Sequence, residues 1–432
     1  MKLYMDVRSM ISETFPKYTE HHPLVPVWCV TPQTDGCLHR FFDTSPFSPS
    51  GRYLAVTRFL QENDLPKPGE MAEIIVVDLH TGEEGKVAET MGWEPQLGAN
   101  INWGATDQTL YFNNVDIKTW EPFIVQLNPF TGQQRRLEGS IYRISPDGKH
   151  IISASATRMR RTQFGYGVVI PDERIPRNYG LVDDDGLYIT DTKTGKQRLL
   201  ISIREIFEKA HPKINQEYYK NGECYGFHCK FNPQGDRILF SMRWMPKQDK
   251  EPWNMNRSGE LEYFVITMKP DGSDVYVAVG PEQWAKTGHH INWFPDGKRL
   301  SMNLCIDGDD QLYLVECNYD GTGLKKITEK VLGSGHPTVH PNGKQILTDT
   351  YEHEKLAKGD GTVPLRWIDL ETDTEQTILS INVNHPATKT SVALRVDPHP
   401  AWDPTHQFIA FNGFYNGTRR VFVADLRSVL KE

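Results

Sequence analysis

Residues Gly288–Leu304 read GHHINWFPDGKRLSMNL. Ile291 and Trp293 alternate with His290 and Asn292, Pro295-Asp296-Gly297 supplies a tight turn, and Leu300, Met302 and Leu304 alternate with polar residues beyond it. That pattern predicts two short strands joined by a turn. His290 stands seven residues before the turn glycine, Gly297. The same phrase returns along the chain, often with its histidine, so the hairpin is one unit of a repeat.

The other copies are TSPFSPSGRYLAVTRF from Thr44, NINWGATDQTLYFNN from Asn100, YRISPDGKHIISAS from Tyr142, HCKFNPQGDRILFSM from His228, HPTVHPNGKQILTDTY from His336 and HPAWDPTHQFIAFNG from His399. Each leads to a second strand and turn, such as EIIVVDLHTGEE after the first copy and LYLVECNYDGTGLKKIT after the fifth. A unit of about four short strands cannot bury both its faces alone. Seven such units stacked radially predict an all-β, seven-bladed β-propeller. The seventh copy stops soon after its third strand, RVFVADLRS, and the lone strand VWCVT at Val27–Thr31 is available to complete it. Such closure leaves no unpaired edge on the last blade. The expected organisation is a leader over 1–24 and a single propeller domain over 25–432. Two insertions interrupt the repeat: the arginine-rich Arg158–Asp184, and Ile203–Glu223, where SIREIFEKAH has helical spacing. Connections of this length are either functional loops or surface decoration.

Composition agrees with a turn-rich β protein: 34 glycines, 28 prolines and 11% aromatic residues. With 48 basic and 56 acidic residues the net charge is -8, and no basic stripe speaks for nucleic acid. The six cysteines form no C-x-x-C pair, which argues against a cysteine zinc site and for scattered buried thiols. The N-terminal residues lack the apolar run of a signal peptide, and no stretch is long enough to span a bilayer. The expectation is a cytoplasmic protein with no nucleic-acid or membrane partner; the oligomeric state is left open.

Counting back seven from each turn glycine, or its equivalent, gives Thr44, Asn100, Ile141, His228, His290, His336 and His399. In the last copy His406 takes the glycine's place, and His39 and Arg40 lie just upstream of Thr44. The first strand of each blade lines the central channel, so residues in equal register form a ring near one mouth. One such histidine alone reads as a hydrogen-bonded core residue; four in one register read as a site. Imidazole is both the usual general base near neutral pH and the commonest metal ligand. Asp397 lies two residues before His399 and so shares its face if the segment is extended. His336, His399 and Asp397 suit a divalent metal acting on oxygen. His228 and His290 have no acidic neighbour at that offset and suit proton transfer. Arg40 and Arg243 are candidates for gripping a substrate carboxylate, and Asn100, the ring residue of the second copy, is a further candidate substrate contact. The IDGDDQ run at Ile306–Gln311 lacks full EF-hand spacing and reads as a strand connection.

With these residues laid out, the chain resembles the oligogalacturonate lyases, cytoplasmic seven-bladed propellers that cleave short pectic oligosaccharides by β-elimination. GHHINWFPDG is similar to that family's histidine-containing stretch before a Pro-Asp-Gly turn, which implies that His290 is the catalytic base. GHPTVHPNG and DPHPAWDP imply metal-ligand positions for His336 and His399, and LHRFF resembles a Cys-His-Arg stretch near the family's N-terminus. Asp397 stands where the family has a ligand histidine, and Leu394 where it has a ligand glutamine. The resemblance implies manganese, with calcium and zinc as the other candidate ions, and an acidic, uronate-containing oligosaccharide as substrate. In that chemistry His290 removes the proton next to the uronate carboxylate, and His228 or His39 assists the departing oxygen. The general plan is also similar to that of ulvan and rhamnose–glucuronate lyases.

Two other readings compete. A glycoside hydrolase on the same scaffold would release a sugar such as rhamnose from glucuronate with water, but the paired carboxylates such enzymes often use are not evident. A non-catalytic interaction propeller of the TolB or WD-repeat kind would have no need of aligned channel histidines. Fold by itself does not choose among these.

Overall fold

The computed structural model describes residues 11, 13–247, 261–306 and 308–430; residues 1–10 and 12 of the leader, and Asp307 in the IDGDDQ run, lie outside them. The strands form seven separate four-stranded antiparallel sheets, one per predicted repeat. The seven sheets are the blades of a β-propeller, numbered here in chain order. Their innermost strands are Cys37–Leu38, Asn102–Trp103, Arg143–Ile144, Gly222–Phe231, Gly288–Trp293, Thr338–Val339 and Ala401–Trp402.

Alternation explains the blades. Leu300, Met302 and Leu304 of blade five are buried on one face together with Leu239 and Val265 of blade four. Ser301 and Asn303, on the opposite face, are buried too. Each sheet is therefore covered on both sides by its neighbours, and the core is a ring of inter-blade layers. The ring closes as expected: Val27–Cys29 pairs antiparallel with the last strand, Val27 opposite Ala424 and Cys29 opposite Phe422. Trp28 and Val30 sit in one core with Phe408 and Val423 of blade seven and Leu54 and Ile75 of blade one. The leader contributes as well, since Ile11, Phe15 and Tyr18 are buried in the cores on either side of this seam.

Blade one departs from the repeat in one respect. Leu38 pairs with Thr57 and Phe47 with Leu54, so residues 39–46 face only Ala55 and Val56 on the partner strand. The surplus chain loops into the channel and carries Phe41 and Phe42 with it. The insertion after blade three's second strand is held by its own ion pairs, Arg158–Asp184 at 2.9 Å and Arg160–Asp172 at 2.9 Å. The predicted helix is present at Ile203–Lys209, opened by a capping box in which Glu205 N donates to Ser202 Oγ at 3.1 Å and Ser202 N donates to Glu205 Oε2 at 3.0 Å. All six cysteines are free and buried. No helix among the described residues is long and apolar enough to cross a membrane.

Placing a charge in the closing strand should unlock the ring. Val27→Asp puts an unpaired carboxylate at a position with 0% exposure, and is expected to cost roughly 3–5 kcal/mol, read as a lower urea midpoint in equilibrium unfolding.

Candidate active site

The four ring histidines converge. His290 and His336 have ring centroids 3.9 Å apart, and His336 and His399 are 4.3 Å apart. The Phe41 ring stands among them, 4.6 Å from His399, 5.1 Å from His228, 5.6 Å from His336 and 6.0 Å from His290. Asn100, His290 and His399 share a left-handed backbone, with φ of 54°, 60° and 49°. His228 and His290 both fall where the inner strand slips register against its partner, between Gly226 and Cys229 and between His289 and Asn292. Thr44, the ring position of blade one, does not join them; the loop at residues 39–46 carries it to the far side of Phe42, where it lines a separate cavity.

Asp349, the residue just after the second strand of blade six's inner hairpin (Gln345–Thr348), organises two of the four. It is wholly buried and accepts from His336 N at 2.8 Å, His336 Nδ1 at 2.8 Å and His399 N at 3.1 Å. The bond to Nδ1 leaves His336 Nε2 as the free ring nitrogen. Gly335 makes the close approach feasible: its φ is 61°, and a Cβ there would lie 2.1 Å from Asp349 O. Asp349 escaped the sequence reading, although a signal existed. It stands 13 residues after its ring residue, as Asn113, Asn303 and Asn412 do after theirs. Those asparagines latch the following blade in the same way: Ile141 N donates to Asn113 Oδ1 at 2.7 Å, Asn303 Nδ2 donates to Gly335 O at 2.9 Å, and His39 N donates to Asn412 Oδ1 at 2.9 Å.

His336, Asp397 and His399 each offer a ligand atom, all within 4.8 Å of one another. His399 is 1% exposed, and neither of its ring nitrogens has a hydrogen-bond partner. A buried imidazole with two orphan nitrogens calls for a ligand. Burial, then the neighbouring imidazoles, hold its pKa well below the ordinary histidine value, which favours the neutral, ligating form. Asp397 Oδ2 accepts from Arg395 Nε at 2.7 Å and so shares its charge with a neighbouring cation. The donor set fits a divalent ion bound by two imidazole nitrogens and one carboxylate oxygen. The loop that bears Asp397 is pinned from behind: Arg419 donates through Nη2 to Leu394 O and through Nη1 to Glu62 Oε2 at 3.0 Å. Burial opposes ionisation of Glu62, but bonds from His385 and Thr418 and the charge of Arg419 hold its pKa down at about 2.

His290 is set up differently. Its Nδ1 lies 2.6 Å from Gly335 O, which can only accept, so the ring proton is on Nδ1 and the lone pair is on Nε2. Tyr351 donates to that nitrogen at 3.1 Å. Burial, then the charges of His336 and His289, hold His290 well below the ordinary value, and burial raises the Tyr351 hydroxyl well above its own. The resting pair is thus a neutral imidazole and a protonated phenol.

The remaining sequence-derived candidates scatter around this centre. His228 is stacked on Phe227 at 3.9 Å, and its Nε2 is buried without a partner. His39 is 0% exposed, lies within 3.4 Å of Pro398 O through Nε2, and is pushed down to about 4 by burial. Arg40 donates through Nε to Asn100 Oδ1 at 2.9 Å, and Asn100 Nδ2 donates to Glu94 Oε1 at 3.1 Å. Arg243 donates to Thr162 O at 3.0 Å and lies over the Phe227 ring at 3.9 Å. Burial lowers its pKa, and the charges that act on it belong to Tyr263, Tyr166 and Tyr351. Among the described residues no carboxylate pairs with it.

Fold and site together define a seven-bladed β-propeller with a histidine-lined channel mouth and a candidate His/Asp/His ligand set. Two solved structures share the architecture over the whole chain. An oligogalacturonate lyase in complex with manganese is 13% identical, with a TM-score of 0.63 over 97% of this chain and 98% of that one. An oligogalacturonate lyase from Vibrio parahaemolyticus is 13% identical, with a TM-score of 0.64 over 96% of this chain and 98% of that one. No family model and no curated protein matches the chain.

Two outcomes are expected. Asp349→Asn should weaken divalent-metal binding about 10–100-fold, measured by manganese titration, while circular dichroism stays unchanged. Because the folded pKa of Glu62 is depressed from 4.5 to about 2, its contribution is present above pH 4.5 and is lost as pH falls toward 2. Glu62→Gln should therefore lose about 2–3 kcal/mol at pH 7, and its unfolding free energy should converge with that of the parent in acid.

Proposed function

We propose that the protein is a lyase that cleaves uronate-containing oligosaccharides by β-elimination at the histidine-lined mouth. The observation that carries this reading is His290, a half-buried neutral imidazole whose lone pair faces a protonated tyrosine 3.1 Å away, beside the candidate metal-ligand set. The full-length likeness to oligogalacturonate lyases adds to it.

The substrate is an acidic oligosaccharide. Its uronate carboxylate enters where Arg243 supplies a guanidinium free of any described acid partner, a planar match for that anion. His336, His399 and Asp397 would hold a divalent ion, which supplies electrostatic stabilisation to negative charge building on the carboxylate. Manganese is the proposed ion, and the Arg395–Asp397 pair is expected to moderate its affinity. His290 Nε2 removes the proton on the carbon next to the carboxylate. That electron pair forms the double bond as the glycosidic oxygen departs, and the departing oxygen takes its proton from Tyr351. The proton gained by His290 then returns to the tyrosine oxygen across their hydrogen bond, and the site is reset with no water consumed. His39, sealed behind Phe41, and the Arg40–Asn100–Glu94 chain form the wall that holds the ring in place. His228 packs as an apolar-faced neighbour of the substrate's leaving side.

The test is incubation with a panel of galacturonate, glucuronate and iduronate oligosaccharides, following ultraviolet absorbance of the unsaturated product. Absorbance that disappears on chelation is expected. Sugar release without absorbance would make the protein a hydrolase, and no turnover of either kind would leave a binding propeller. His290→Ala should lower kcat by about 10²–10⁴ with unchanged thermal unfolding. Tyr351→Phe should do so on sugar leaving groups, yet leave an aryloxide leaving group, which needs no proton, little affected.

A further inference from the structure

The inner strands start at the histidine mouth and end in the Pro-containing turns at the opposite mouth. At that far end lies a second cavity of about 820 Å³, walled by Trp103, Trp293 and Trp402 and floored by Phe42, Arg143 and Lys230. This is the size of an ordinary small-ligand pocket. Phe41 and Phe42 form the partition between the two mouths: both pack against the histidines, Phe41 4.6 Å from His399 and Phe42 5.2 Å from His336, and Phe42 also lines the cavity, with Lys230 Nζ 4.8 Å from its ring centroid.

The charge at this floor does not balance. Three cations gather around one carboxylate: Lys230 Nζ lies 2.7 Å from Asp43 Oδ2, Arg40 Nη1 lies 3.3 Å from Oδ1, and Arg143 Nη1 lies 3.9 Å from Oδ1. The Lys230, Arg40 and Asp43 side chains are 3%, 3% and 2% exposed, so water does little to screen them, while Arg143, 28% exposed, faces the cavity. Burial lowers the pKa of Lys230. Glu94, connected to Arg40 through Asn100, is pushed up to about 8 by burial and adds little negative charge at neutral pH. The cavity's other carboxylate, Asp403, has its oxygens filled by the amides of Thr405, Gln407 and Phe408 in its own turn. Donors are also left over: Ser45 Oγ, in the cavity wall, and Arg40 Nη2 are buried with no acceptor. Buried charge in excess of its partners is costly unless something of opposite sign joins it.

We propose that this second mouth binds a small oxyanion, a carboxylate or phosphate group carried on a compact molecule, against Arg143, Lys230 and Ser45. The partition of Phe41 and Phe42 makes it a site separate from the histidine mouth, and the proposal does not depend on the lyase reading. The open side of the cavity and its tryptophan walls leave room for a sugar-sized body behind the anionic group.

The test is thermal unfolding of the full chain with sodium phosphate, sodium sulfate, sodium galacturonate or sodium glucuronate, each against sodium chloride of equal ionic strength. At least one anion should raise the midpoint by about 2–4 °C. The rise should vanish in Arg143→Gln and persist in Arg243→Gln, which removes the cation of the histidine mouth instead. Phosphate or sulfate acting alone identifies a phosphoryl-type ligand, and the sugar acids acting alone identify a uronate. No rise with any anion, or a rise lost in Arg243→Gln and kept in Arg143→Gln, would overturn the assignment. Should Arg143→Gln fold poorly, Ser45→Ala read by calorimetric titration of the active anion should weaken binding several-fold, and unchanged binding would count against the site.

Discussion

One buried carboxylate governs the geometry of the channel mouth. Asp349 receives His336 through both its amide and its ring, and receives the amide of His399 from the next blade. A carboxylate taking several donors in a dry interior is held far more rigidly than the same contact would be in water. Two blades are thereby locked at a fixed spacing, and two imidazoles are brought to within 4.3 Å. In blades two, five and seven the equivalent latch is a neutral asparagine. Only in blade six is the latch charged, and there it also orients a candidate metal ligand, the outer partner that ligating histidines generally require.

The second constraint is the surplus chain of blade one. A propeller of seven blades leaves an axial channel that strand side chains do not fill. Here the excursion of residues 39–46 fills it with two phenylalanines. Phe41 gives the histidines an apolar centre, and burial holds His228, His290 and His399 well below the ordinary imidazole value. On the other side of the same partition, Asp43 draws three cations into the interior. One loop thus sets the dielectric of one mouth and the charge of the other.

Much of this was legible before any coordinates. The recurring turns, Pro-x-Gly in five of the seven copies, and the period-two strands located every blade, and the truncated seventh copy foretold the closing strand at Val27. The common register of His228, His290, His336 and His399 predicted their convergence, since strands that enter a channel alike present alike. The register failed at Thr44, where turn-to-ring spacing matched but an inward loop intervened. Asp349 and Tyr351 were missed because their importance lies in what they touch. Tyr351 meets His290 from a different blade, across 61 positions of sequence, and no local pattern announces such a bond.

The order of residues by itself determined the repeat, the number of blades and which imidazoles share a level, because alternation and turn chemistry act between near neighbours. Tertiary structure alone decided which nitrogen of His290 bears the proton, which histidines are orphaned, and that Arg395 shares Asp397 with the ligand set. Those properties arise from burial and from partners supplied by other blades. Desolvation and hydrogen-bond geometry depend on distances through space, and a linear chain does not carry them.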